Sequence, residues 1–211
     1  MKYNKYQREY YGRVEHKKFS NAKRIAVNAV MKSHIVSAYY CNLLKILDSL
    51  PKNSKVLDIG CSHGGFLNFV SNIRPDLKLY GTDISDVSKL LPKKIHFIQA
   101  DIVNDELKEK GFDFIVSIHL IEHLDPGDVQ AVFNKAYGLL NKNGHCLFLA
   151  PRLSQRFYDD PTHIRPYNKG SLTRLFSMAG FKAIKAYNRC ELNFPFSLFK
   201  PMKLAFGFAR K

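Results

Sequence analysis

The segment Val56-Leu57-Asp58-Ile59-Gly60-Cys61-Ser62-His63-Gly64-Gly65-Phe66 constrains the fold of this chain more than any other. Its first four residues, branched aliphatics around one carboxylate, read as a buried strand. A glycine-rich turn follows, and Phe66-Leu67-Asn68-Phe69-Val70 opens a helix. Glycines have no Cβ, so a ligand can approach the bare backbone of such a turn. The helix that follows aims its unpaired N–H groups and positive dipole end at that ligand. Asp58 argues against a phosphate cradle. No Gly-Lys-Ser/Thr follows, which excludes the nucleoside-triphosphate loop.

The pattern then repeats. Leu77 to Asp83 reads as a second strand ending in an acid, and Ile95 to Ile102 as a third, with Asp101 near its end. Phe112 to His119 gives a fourth strand and His145 to Pro151 a fifth. Between them lies a helix from Val129 to Leu140, ended by Asn143-Gly144. Gly170 to Ala179 is an amphipathic helix closed by Gly180. Phe181 to Tyr187 and Leu204 to Ala209 supply the sixth and seventh strands. Alternating strands and helices predict an α/β, doubly wound, Rossmann-like sheet of seven mostly parallel strands. Residues 1–52 read as a helical N-terminal extension. There Ile35, Tyr39, Leu43, Leu44 and Leu47 recur at helical spacing before Pro51, and residues 53–211 form the domain proper. In doubly wound folds, an acid ending the strand after the glycine loop holds ribose hydroxyls. That assigns Asp83 to a ribose. A single strand-end Asp caps a helix as readily, but three in register with a glycine loop point to a nucleoside.

The glycine segment resembles motif I of class I S-adenosylmethionine (SAM)-dependent methyltransferases. The resemblance implies SAM as cofactor, with Asp58 near its cationic methionine part and Gly60, Cys61 and Gly64 in the turn around it. It further implies Asp83 on the ribose, Ile84 on the adenine face and Asp101 on the adenine amino group. Ile102 and Ser117 complete the expected cofactor pocket.

Beyond the cofactor motifs stands His119-Leu120-Ile121-Glu122-His123-Leu124. Residues at i, i+3 and i+4 share one face of a helical turn, and His and Glu are both metal ligands. His-x-x-Glu-His is also the inverted zinc-peptidase motif. That motif needs a long helix, whereas His119 ends a strand, so the peptidase reading is rejected. The Glu-His pair resembles the Glu-His-Leu/Val that follows the fourth strand in many SAM methyltransferases, where its role is positional. The whole stretch also resembles the Glu-x-x-Glu-His of ubiquinone-pathway and small-RNA 2′-O-methyltransferases. Those imply a divalent metal held by His119, Glu122, His123 and, from a later loop, His163. His119 stands where those enzymes have Glu, which favours Zn, Mn, Fe or Co over Mg. The competing reading is metal-free, with His123 or His163 as general base.

Asp160-Pro161-Thr162-His163-Ile164-Arg165-Pro166-Tyr167 resembles the Asp-Pro-x-His-x-Arg-Pro-Tyr loop of bacterial methyltransferases associated with cell-surface glycans. As in that group, a Leu-containing helix and a Gly-Phe pair (Gly180-Phe181) come next. The resemblance implies O-methylation of a sugar hydroxyl in a glycan or lipid-linked glycan. His123, His163, Glu122 and His119 would then be the catalytic set, with Tyr158, Asp159, Arg165 and Tyr167 shaping the acceptor site. The plainer reading is a loop whose two prolines fix its path.

The net charge of +15 favours an anionic partner. It keeps an RNA 2′-O-methyltransferase in view, although the basic residues are spread along the chain and no RNA-binding module is recognisable. A SAM-binding partner subunit without turnover is the non-enzymatic alternative. No run approaches the ~20 apolar residues of a membrane span, and the start lacks the apolar core of a signal peptide. Cys41, Cys61, Cys146 and Cys190 are far apart. A cytoplasmic protein with reduced thiols is therefore expected. Phe194, Phe196, Leu198 and Phe199 beside Lys200 and Lys203 suggest peripheral contact with an acidic membrane at its inner face, or with the acceptor's lipid part. No sequence signal addresses oligomeric state.

Overall fold

The computed structural model describes residues 38–191 and 202–211. In chain order these form α1 (Ala38–Ser49), β1 (Lys55–Ile59), α2 (Gly65–Ile73), β2 (Lys78–Asp83), β3 (Ile95–Gln99) and β4 (Phe112–Ile118). Then come α3 (Pro126–Leu139), β5 (Leu140–Pro151), α4 (Lys169–Met178), β6 (Lys182–Glu191) and β7 (Met202–Arg210). Single 3-10 turns sit at Ser88–Leu90, Ile121–His123 and Gln155–Asp159. The strands make one seven-stranded sheet in the order β3-β2-β1-β4-β5-β7-β6. The first five run parallel, while β7 pairs antiparallel with both β5 and β6. The expected seven-stranded, mostly parallel Rossmann-like sheet is what forms.

Both faces of the central strands are buried, which is why they read as near-continuous apolar runs. Alternate residues feed two cores. Leu57, Ile59, Ile115 and Phe148 pack with Phe133 of α3 and Phe176 of α4 on one face. Phe133 and Phe148 stack with ring centroids 4.0 Å apart, and Phe176 meets Phe133 edge-on at 4.9 Å. Such aromatic pairs contribute beyond their buried area. Val56, Phe114, Val116 and Leu147 face the other way, onto Leu67 and Val70 of α2 and Leu43 and Leu47 of α1. Arg74 fixes α1 in place. It donates to the Leu47 and Leu50 carbonyls while paired with Asp76, with Nε–Oδ1 at 2.9 Å and Nη2–Oδ2 at 2.7 Å. Carbonyls at a helix C-terminus lack intrahelical donors, and a guanidinium supplies them.

The structure corrects several expected boundaries. The third strand stops at Gln99 and not at Ile102. The Asp101 N–H turns to Asp105 Oδ2, 2.8 Å away, and Asp101 Oδ1 accepts from the Val103 N–H, so a side-chain-closed turn replaces the ladder. Helix α3 begins at Pro126, three residues before the first apolar position of its periodic run, because a proline at the first helical position needs no donor. Strand β5 begins directly after that helix at Leu140, and β6 runs on to Glu191 where Tyr187 was expected to end it. Of the anticipated N-terminal extension, α1 is described, and residues 1–37 lie outside the described residues. So does the whole Asn193 to Pro201 segment, read as a membrane contact, since residues 192–201 are not described. No described helix is long and apolar enough to cross a membrane.

Candidate functional site

In a parallel sheet the loops leaving the carboxyl ends of the strands form the ligand crevice. Here that rim carries the glycine turn after β1, Asp83 after β2, the His119–His123 turn after β4 and the Asp160–Tyr167 loop after β5. Gly60 and Gly64 adopt φ of +74° and +73°, the left-handed region that glycine enters without strain. The turn is pinned by Gly60 and Cys61 N–H groups, both donating to the Thr82 carbonyl at 2.8 and 3.0 Å. Leu120, from the turn after β4, lies against Gly60, so the two halves of the rim touch.

Asp58 is 3% exposed, and its Oδ1 has no hydrogen-bond partner among the described residues. Burial, with Asp83 nearby, pushes its carboxyl up to about 8. In the free protein burial therefore favours the protonated carboxyl, and a cation placed beside it would favour the carboxylate. Asp83 ends β2. Its Oδ2 accepts the Ser62 N–H and its Oδ1 the Ser85 N–H, each at 3.0 Å. Burial raises its pKa, and the backbone N–H bonds from Ser85, Ser62 and Ile84 oppose that rise. Each oxygen keeps a second lone pair for a ligand hydroxyl.

The remaining expected cofactor residues divide. Ile84 is half-buried beside Asp83. Asp101 sits beyond the strand end, its Oδ2 accepting from the Asn104 amide at 2.8 Å. Ile102 is buried in the core, and Ser117 Oγ donates to the Ile59 carbonyl at 3.1 Å, tying β4 to β1. Cys61 is buried against Gly81. Ile102, Ser117 and Cys61 thus support the crevice from beneath.

On the other side of the rim, the structure gathers Glu122, His123 and His163, with one ligand atom from each lying within 4.8 Å of the others. Glu122 and His123 are buried. Glu122 Oε1 lies 3.0 Å from His119 Nδ1, while Glu122 Oε2 has no partner among the described residues. His119 is not in the converging group. It is 41% exposed, adopts φ of +56° at the end of β4, and among the described residues reaches the cluster through that Glu122 contact. Burial lowers the His123 pKa, Glu122 opposing the change and His163 adding to it. The His123 and His163 rings lie 4.8 Å apart, centroid to centroid. The two loops are held together by main chain, for the Glu122 carbonyl accepts the Ile164 N–H at 2.7 Å.

Sequence reasoning did not find the supporting groups: Thr162, Asp160 and the Phe157 carbonyl, which orient the two histidines. Thr162 and Asp160 lie inside the Asp-Pro-Thr-His motif. The Phe157 carbonyl carries no side-chain signal. Of the expected acceptor-shaping residues, Tyr158 is exposed, whereas Tyr167 is buried in the core with its hydroxyl pushed up to about 12 by burial. Tyr167 all the same forms part of the wall of a cleft. Between α3 and α4 a cleft of about 420 Å³ is lined by Gln130, Arg165, Asn168, Arg174 and Met178 among others, next to the histidine loop.

Glycine turn, strand-end acids and strand order define a crevice at the carboxyl rim of a Rossmann-like sheet. The methyltransferase-domain family profile matches residues 32–186, and the chain belongs to that family. Among curated proteins, it is similar to carboxy-S-adenosyl-L-methionine synthase of Campylobacter concisus. Identity is 36% over 107 residues, 47% of this chain and 45% of that protein. The Klebsiella pneumoniae protein of the same name is 28% identical over 173 residues, 73% of this chain and 64% of its own length. The chain spans about half the length of most curated relatives it matches. Among solved structures, a SAM-dependent methyltransferase from Archaeoglobus fulgidus has a TM-score of 0.68 at 20% identity, covering 89% of this chain and 94% of that one. Phosphoethanolamine N-methyltransferase 2 of Haemonchus contortus, solved with S-adenosyl-L-methionine, has a TM-score of 0.64 at 16% identity, covering 94% and 59%. These structures share the fold.

Proposed function

We propose that the chain is a SAM-dependent methyltransferase acting on a hydroxyl, of a sugar in a glycan or lipid-linked glycan. The observation that carries the cofactor reading is Asp58, a buried carboxylate with an unpartnered oxygen beside a bare glycine turn. SAM is cationic at both its sulfonium and its ammonium group, so bound nearby it would favour the ionised form of Asp58. Asp83 fits the ribose diol and Ile84 an apolar face of adenine. Bound there, SAM supplies an electrophilic methyl carbon on a positively charged sulfur.

Methyl transfer is an in-line displacement, so the chain's contribution is chiefly alignment. A hydroxyl is a weak nucleophile at neutral pH and must lose its proton in the step. The Glu122, His123 and His163 cluster on the facing side of the rim is the group we assign to that task. The acceptor class rests on the resemblance of the Asp160–Tyr167 loop to glycan methyltransferases, and the charge of +15 suits an anionic acceptor. A second reading, favoured by the names of the curated relatives, is carboxy-SAM synthesis at the same cofactor site. Its product would be a carboxylated SAM, with no methylated acceptor.

Methyl-labelled SAM, incubated with glycolipid, RNA and small-molecule fractions and followed by mass spectrometry, separates these readings. Label in a sugar hydroxyl of the glycolipid fraction supports the proposal. Label in RNA redirects it, and a carboxylated SAM supports the second reading. Binding of SAM with no product in any fraction reduces the chain to a cofactor-binding subunit.

A further inference from the structure

We infer that Glu122, His123 and His163 form a binding site for one divalent transition-metal ion of the Zn²⁺, Mn²⁺ or Fe²⁺ class. The site stands on ligand geometry and holds whichever acceptor is methylated.

Four observations converge. First, three potential ligand atoms from two segments forty residues apart lie within 4.8 Å of one another. Second, both imidazoles are oriented by their Nδ1 atoms. His163 Nδ1 lies 2.7 Å from the Phe157 carbonyl, which can only accept, so Nδ1 carries the proton. The Thr162 hydroxyl donates its one proton to Asp160 Oδ1, so at 3.0 Å it accepts from His123 Nδ1. In the neutral rings both Nε2 atoms then hold the lone pair. Metal-ligating histidines are held in this way, the other nitrogen donating to a carbonyl or side-chain oxygen. Third, Glu122 is fully buried, and its Oε2 has no partner among the described residues. Burying a carboxylate with so little compensation costs free energy that a cation would offset. Fourth, the Glu122 carbonyl holds the Ile164 and Arg165 N–H groups at 2.7 and 3.4 Å, so the ligand-bearing loops are joined before any ion arrives.

Two imidazoles and one carboxylate suit borderline ions better than Mg²⁺ or Ca²⁺, which prefer all-oxygen shells. A tetrahedral ion with bonds of about 2.0–2.1 Å needs ligand atoms about 3.3 Å apart. His123 Nε2 and Glu122 Oε1 stand at 4.0 Å and all three ligand atoms lie within 4.8 Å, so side-chain rotations must draw the set inward around an ion. Three protein ligands leave a coordination position open, as catalytic sites do. A substrate hydroxyl bound there would be acidified.

The test is titration of chelator-treated full chain with Zn²⁺, Mn²⁺ and Co²⁺ by calorimetry, with Co²⁺ absorption reporting the ligand change. Thermal unfolding of every variant is the fold control. One ion per chain is expected in the wild type. His163→Ala, the less buried change, and Glu122→Gln should each weaken binding on the order of 100-fold, more than loss of an outer-sphere partner costs. Folded His163→Ala and His123→Ala proteins that bind the ion as the wild type does would overturn the inference. So would a wild type with no stoichiometric ion. Because SAH binding is measured separately, a failed cofactor assignment and a failed metal site give different results.

Discussion

Asp58 and Asp83 show what a residue's environment adds to its identity. Their positions at the ends of successive strands are legible in the sequence, because the glycine turn and the apolar runs fix where strands stop. That Asp58 is left with an unpartnered oxygen is not legible, since it depends on which donors the fold brings near. Its folded pKa of about 8 lies above the unfolded value of 3.8. The stability tied to its proton is therefore fully present below pH 3.8 and is lost as pH rises through about 8. Asp83, also raised, has the same sign. Between pH 7 and 8 the free wild-type protein should lose on the order of 1 kcal/mol of stability relative to Asp58→Asn, as one titrating unit implies. Urea unfolding of both at the two pH values checks this, and parallel profiles would count against it. The histidines tell a related story. His119, Glu122 and His123 look equivalent in a helical-spacing argument, but the segment is a single 3-10 turn and His119 sits at positive φ before it. That backbone separates His119 from the cluster and leaves it bonded to Glu122 instead.

At the scale of elements, the order and kind of every strand are carried by apolar runs between turn signals, so they are readable without a structure. The ends are set by hydrogen bonds that pattern does not encode. Asp105 captures the Asp101 N–H and shortens β3, and pairing with β7 prolongs β6. The docking of α1 was likewise invisible, because its agent, Arg74, lies 24 residues beyond the Leu50 carbonyl it binds. Arg74→Ala removes charged donors from the Leu47 and Leu50 carbonyls. The loss should be about 2 kcal/mol, which corresponds to a fall in Tm of roughly 4–8 °C for a domain of this size. Calorimetric scanning reads it, and an unchanged Tm would mean that α1 is held by Leu43 and Leu47 alone.

For the whole molecule, the sheet order gathers residues from the loops after β1, β2, β4 and β5 onto one rim, and this convergence follows from parallel topology alone. That is why Asp83 could be set on the rim from the sequence, whereas Ile102, Ser117 and Cys61, expected there too, are buried beneath it. The acceptor is different: a fold does not encode what it methylates, and the buried Tyr167 shows how a motif residue can serve packing. On the proposed function this rim binds SAM. Calorimetric titration with SAH and SAM tests it most directly, using wild type and Asp83→Ala. Each Asp83 bond to a ribose hydroxyl is worth about 1.5–3 kcal/mol. Binding should be 1:1 in the wild type and at least about tenfold weaker in a folded Asp83→Ala. A folded wild type that binds neither nucleoside, or an Asp83→Ala protein with unchanged affinity, would contradict it.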